Sequence, residues 1–196
     1  MRVLITGASG LIGSALTNRL TKEGHDVFSL VRPGSTRTGI AWQPGAELED
    51  HPDLDDLDAV VHLAGAGIAD QRWTPARKEV LWRSRVESTA HLRGALEERA
   101  NPPKRFLCAS AIGWYGHRDH DILDESSAPG HGFLADLCAA WESAAQSTKM
   151  TSACLRFGLV LDRSGGALGK MLPPFQLGLG GPLGDGRHWQ SWIGLD

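Results

Sequence analysis

One stretch near the start of the chain, Thr6-Gly7-Ala8-Ser9-Gly10-Leu11-Ile12-Gly13, constrains the fold more than any other feature. It follows a short apolar run, Val3 to Thr6, that reads as a buried strand. It opens a helix whose residues Leu11, Ile12, Ala15, Leu16 and Leu20 recur on one face. Gly24 stands where that helix should stop. A strand, a glycine turn and a helix in this order form a dinucleotide-binding unit. Gly7 permits the tight turn, Gly10 lets a pyrophosphate approach the backbone, and Gly13 lets helix and strand pack closely. The backbone from Gly7 through Ala8, Ser9, Gly10, Leu11, Ile12 and Gly13 is the expected phosphate site, since a helix N-terminus offers free N–H groups to an anion.

The rest of the chain repeats the alternation. Strands are expected over Asp26–Val31, Gly39–Trp42, Ala59–Ala64, Arg105–Ala109 and Ala153–Phe157. Thr74-Pro75 reads as an N-cap followed by proline at the first helical position, opening a helix that runs to Arg99. Phe133, Leu137, Ala140, Trp141 and Ala144 mark another amphipathic helix. The glycine- and proline-rich stretch from Arg163 to Gly186 reads as turn and loop. This pattern predicts an α/β fold, a doubly wound parallel sheet of Rossmann type with helices on both faces. Residues 1–155 are expected to form the dinucleotide-binding domain and residues 156–196 the start of a substrate-binding lobe.

Composition narrows the function. With a net charge of −3 and no long basic run, the chain does not read as a nucleic-acid binder working by phosphate neutralisation. Cys108, Cys138 and Cys154 are scattered and show neither disulfide nor metal-ligand spacing, so no metal site is expected. No run approaches the roughly 20 apolar residues of a membrane span, and a cytoplasmic location is the default expectation.

The choice of cofactor rests on the second strand. NAD sites place an acidic residue at its end, on the adenosine ribose. Here Ser29-Leu30-Val31-Arg32-Pro33 places Arg32 there, with Arg37 near in sequence. A guanidinium suits a 2′-phosphate, so the expected cofactor is NADP(H).

The spacing G-x-x-G-x-x-G resembles that of short-chain dehydrogenases/reductases. Asp58-Ala59-Val60-Val61-His62-Leu63-Ala64-Gly65 resembles their "D-x-V-x-H-x-A-G" strand. Ser110-Ala111-Ile112-Gly113-Trp114-Tyr115-Gly116 resembles the "S-S-x-x-x-Y-G" segment of the extended subfamily, and Leu123-Asp124-Glu125 its acidic loop. Arg72-Trp73-Thr74, Ser84-Arg85-Val86, Met171-Leu172-Pro173-Pro174-Phe175 and Gly178-Leu179-Gly180-Gly181-Pro182 are similar to an atypical "epimerase family" group of NAD-dependent epimerase/dehydratase relatives. The resemblance implies that Leu63, Ala64 and Gly65 lie against the cofactor and that Arg85 contacts cofactor or substrate. It also implies that further strands and helices follow Trp192-Ile193-Gly194-Leu195-Asp196 and complete the substrate pocket.

The resemblance brings a conflict. The superfamily's Tyr and Lys stand four residues apart on one helix. Tyr115 is the one tyrosine here, and four residues on is Asp119. Aligning Glu142 with the superfamily's helix glutamate puts Leu134 in the Tyr place and Cys138 in the Lys place. Ser110 keeps the matching serine position, so Ser110 and Tyr115 are the catalytic candidates. His62, inside a buried strand, reads as packing, and Cys138 reads as a buried structural thiol. The expected function is an NADP(H)-binding oxidoreductase or epimerase with a degenerate Tyr–Lys site, acting on an unidentified small molecule. The other reading is a nonenzymatic NADP(H)-binding sensor or scaffold. Small-molecule substrate is the expected partner, with a homodimer allowed and neither nucleic acid nor membrane involved.

Overall fold

The computed structural model describes residues 1–182 and 184–196. Six strands form one parallel sheet: β1 (Arg2–Thr6), β2 (Asp26–Val31), β3 (Ile40–Ala41), β4 (Ala59–His62), β5 (Arg105–Ala111) and β6 (Thr151–Phe157). Their spatial order is β3-β2-β1-β4-β5-β6, the doubly wound Rossmann arrangement. The order reverses between β1 and β4, which leaves a crevice beyond their carboxyl ends, where ligands of such sheets bind.

Alternation along the strands fills both faces. Leu4, Val60 and Phe106 point to one side and pack with Leu92, Leu96, Trp141 and Ala145. Val3, Ile5 and Val61 point to the other, against Leu16 and Leu20 of α1 (Leu11–Lys22). Each fully buried Leu or Phe contributes about 1.5–3 kcal/mol, so these layers fix the strand register that brings Thr6, His62 and Ser110 to one edge.

The long expected helix is α2 (Pro75–Trp82), a π-helical segment over Arg83–Glu87, and α3 (Ser88–Glu97), running on without a turn. Thr74 caps it by accepting from Arg77 N–H at 3.2 Å, as its sequence promised. The π segment inserts an extra residue in the turn and lets Leu81 and Leu92 both reach the core. Helix α4 spans Phe133–Ala145.

The stretch read as loop is partly helix. Helix α5 covers Gly166–Gln176, with Pro173 and Pro174 inside it. Proline removes the N–H that an interior turn needs, but these prolines fall in the second half of α5, after Ala167, Leu168, Lys170, Met171 and Leu172, which are good helix formers. Glycine and proline content masked that run. Two short strands, β7 (Leu159–Asp162) and β8 (Trp192–Gly194), pair in parallel beside it, with Leu159 opposite Trp192. Leu183, within the same expected loop, lies outside the described residues.

Candidate cofactor site

The glycine turn lies beneath the end of β4. Gly7 has φ +70°, and a Cβ there would stand 2.8 Å from the Leu63 carbonyl carbon. Conformation and space therefore both demand glycine. A Cβ on Gly13 would lie 2.2 Å from Gly7 O, so helix α1 can approach the turn only with glycine at that point. Gly10 differs: its φ is −76°, and the one neighbour of an added Cβ is Gly7 O at 3.3 Å. Its side faces open space, which fits a bound group rather than a packed one. Gly10 N–H closes the turn onto Gly7 O at 2.9 Å. No side chain among the described residues caps α1, so its first-turn N–H groups stay free for an anion.

His62 builds the floor of this turn. It is fully buried and stacks on Phe106. Its Nδ1 lies 2.7 Å from Thr6 Oγ1, and the same hydroxyl accepts from Ala64 N–H at 3.2 Å. The bracket ties β1 to the backbone of Leu63 and Ala64, directly under Gly7. Desolvation pushes the imidazole down to about 4, so it is neutral at physiological pH.

A cavity of about 260 Å³ opens between Gly7, Gly10, Leu11, Ile12, Gly13 and Leu63 on one side and Ala109, Val160 and Gly166 on the other. Gly166, at the start of α5, packs so close to Leu11 that a Cβ would meet its Cδ2 at 2.9 Å. Gly166 belongs to the stretch read as loop, and Val160 lies just before it, where nothing in the sequence marked a cavity residue. Ala8 and Ser9 form the tip of the turn, half-buried and exposed. Arg32 follows β2 immediately, is exposed, and opens a turn closed by Ser35 N–H on its carbonyl. Neither Arg32 nor Arg37 is ion-paired among the described residues, so both are free to meet a phosphate.

Arg85 sits in the π segment over the end of β4. Its Nη2 donates to Ala66 O at 2.9 Å, while Ala66 N–H donates to Ser84 Oγ at 3.1 Å. Two consecutive residues thus grip both polar groups of Ala66, just past Gly65.

Ser110 and Tyr115 are joined by residues that sequence reasoning did not connect. Ser110 is 4% exposed and donates to Glu142 Oε1 at 2.6 Å. Arg156 on β6 holds Glu142 in a two-pronged pair, at 2.8 and 2.9 Å. The remaining arm of Arg156 donates to Tyr115 Oη at 3.1 Å, and its guanidinium lies 4.0 Å from the Trp114 ring centre. Hydrogen bonding to Glu142 raises the Arg156 pKa. The arginine carried no motif, so only the register of β6 beside β5, Arg156 opposite Ser110, brings it here. Leu134 and Cys138, which the resemblance sets in the Tyr and Lys places, pack against Gly113, and Cys138 is buried with its thiol pushed up by desolvation. Tyr115, Glu142 and Arg156 line an open cleft of about 1730 Å³ that also takes in Trp73, Phe133 and Trp189. Among the described residues no helix is long and apolar enough to cross a membrane.

Residues 3–137 match the family model described as the NAD dependent epimerase/dehydratase family. The chain belongs to that family. Among its relatives, an epimerase family protein of Mycobacterium bovis is 40% identical over 198 residues, covering 99% of this chain and 65% of its own. A crystal structure of the human epimerase family protein SDR39U1 with NADPH superposes with a TM-score of 0.86 at 35% identity, over 100% of this chain and 66% of that one. A nucleoside-diphosphate sugar epimerase from Corynebacterium glutamicum gives 0.76 at 37% identity, over 98% of this chain and 41% of its own. The chain thus spans somewhat under two thirds of these epimerase/dehydratase family relatives.

Proposed function

We propose that this chain binds NADP(H) and is the cofactor-holding part of an oxidoreductase or epimerase that acts on a small molecule. The observation that carries the reading is the glycine turn. It leaves Gly10 open and the first turn of α1 uncapped at the point where the strand order reverses. The backbone from Gly7 to Gly13 would hold the pyrophosphate, Leu63, Ala64 and Gly65 would border the nicotinamide half, and Arg32 would take the 2′-phosphate. The human relative crystallised with NADPH supports the choice of cofactor. NADP(H) supplies two-electron redox chemistry when bound. Residues 156–196 would begin the lobe that covers the substrate.

Tyr115 is assigned the proton transfer, because it is the one phenol in the chain and lines the large cleft. Arg156 fixes its oxygen, Glu142 fixes Arg156, and Ser110 fixes Glu142, so Ser110 acts through its neighbours. A second reading, a nonenzymatic NADP(H)-binding sensor or scaffold, is favoured by Leu134 and the buried Cys138 where the superfamily has Tyr and Lys.

Fluorescence titration with NADPH tests the binding claim, and saturable binding is expected. NADPH oxidation across a panel of aldehydes and ketones then separates the readings. Turnover lost in Tyr115→Phe supports the enzyme, while tight binding with neither NADPH oxidation on any carbonyl nor epimerisation of any sugar nucleotide followed by NMR supports the sensor. No NADPH binding would overturn both.

A further inference from the structure

Arg85 is a cation that the assignments above leave without a counter-charge among the described residues. It is half-buried, and desolvation lowers its pKa. Its neighbours are carbonyls, a hydroxyl and a ring: Ala66 O at 2.9 Å, Leu81 O at 3.4 Å, Ser84 Oγ at 3.4 Å and the Trp141 ring centre at 5.2 Å. No carboxylate pairs with it among the described residues, whereas Arg77, Arg83, Arg93, Arg99, Arg118 and Arg156 each have one; the part-buried Arg2 is likewise held by carbonyls and a ring, but at the start of β1, away from the crevice. Carbonyl dipoles satisfy N–H groups but do not neutralise the charge, and burying an unneutralised cation is costly.

The position of this cost is informative. A π segment in the long helix carries Arg85, and such segments recur at functional sites. Its Cζ lies 3.4 Å from where a Cβ on Gly65 would stand, at the carboxyl end of β4. Cys138, which the resemblance sets in the superfamily's Lys place, stands one turn before Trp141 on α4, the ring that Arg85 faces.

We propose that Arg85 binds an oxyanion, a carboxylate or phosphate group, beyond the end of β4, and supplies there the positive charge that a Lys at position 138 would have given. The ligand is an anionic substrate group or a phosphate of the cofactor. This deepens the NADP(H) reading and rests on it for the choice between those sources.

Titration calorimetry of the whole chain with oxalate and with inorganic phosphate, with and without saturating NADPH, tests it. Arg85→Gln should weaken oxalate by roughly tenfold or more, the scale of a lost charged hydrogen bond, and Arg85→Lys should restore part of it. Weaker oxalate with unchanged NADPH affinity assigns the group to substrate; weaker NADPH assigns it to the cofactor. Unchanged binding of oxalate, phosphate and NADPH in folded Arg85→Gln overturns the proposal. Should that variant misfold, side-chain NMR of 13C-arginine in the unmutated chain gives the answer: an Arg85 signal that moves with neither oxalate, phosphate nor NADPH also overturns it. Failure of the unmutated chain to bind NADPH would sink the NADP(H) reading but leave the oxalate and phosphate titrations intact.

Discussion

Ser110 Oγ donates to Glu142 Oε1 at 2.6 Å, and that bond engages the buried hydroxyl with a carboxylate that lines the cleft. Glu142 is in turn held by Arg156, whose third contact is Tyr115 Oη. The chain of contacts predicts a graded response. Ser110→Ala removes one charge-assisted bond and leaves the ion pair, so it should cost about 1–3 kcal/mol. Glu142→Ala strands a mostly buried guanidinium and should cost about 3–5 kcal/mol. Urea denaturation of both variants checks the order; a Ser110→Ala loss equal to or larger than that of Glu142→Ala would contradict the network.

The glycine turn makes a second prediction, in which two glycines part company. Gly13→Ala puts a Cβ on Gly7 O and should destabilise the fold, by about 1–3 kcal/mol as for other overpacked sites. Gly10→Val has one close neighbour, at 3.3 Å, so the protein should stay folded while NADPH binding is lost. Circular dichroism melting with NADPH titration checks both. A folded Gly10→Val chain with normal NADPH affinity would remove Gly10 from the phosphate site.

How far the sequence could be read follows from what each feature depends on. The sheet and the glycine turn are local: an apolar run, a glycine spacing and an N-cap Thr74 each act within a few residues, and each was legible. Helix α5 was not, because Gly165, Gly166, Pro173 and Pro174 outweigh the helix formers between them in any count of turn residues. The Ser110–Glu142–Arg156–Tyr115 contacts depend on β5 lying beside β6 and on α4 packing over both, which no spacing encodes. The isolation of the Arg85 charge was equally hidden, since a missing partner shows only when all neighbours are placed.

The exposed end of β2 carries the cofactor preference. Arg32 has no acidic partner among the described residues and meets solvent, so its contact with a 2′-phosphate would be partly screened. Arg32→Ala should weaken NADPH by about 1–3 kcal/mol and leave NADH unchanged. Added salt should narrow the gap between the two cofactors. Parallel titrations with both nucleotides decide the matter, and equal affinities in the unmutated chain would refute the assignment to Arg32.

The buried imidazole of His62 predicts how stability depends on pH. Folded, it titrates at about 4; in the unfolded chain it titrates near the ordinary 6.5. Between those values the unfolded state binds the extra proton, so unfolding is favoured as pH falls. The contribution is fully present above about pH 6.5 and shrinks through that window, by about 3 kcal/mol over its whole width. His62→Gln keeps a polar partner for Thr6 Oγ1 but does not titrate. Urea denaturation at about pH 7.5 and about pH 5 should therefore show a loss in the unmutated protein larger by about 2 kcal/mol than in His62→Gln. The remaining histidines and the carboxylates are common to both proteins and cancel in the difference. Equal losses in the two would mean that His62 is protonated as easily in the folded chain as in the unfolded one, and that the Thr6–His62 bracket under Gly7 opens to water.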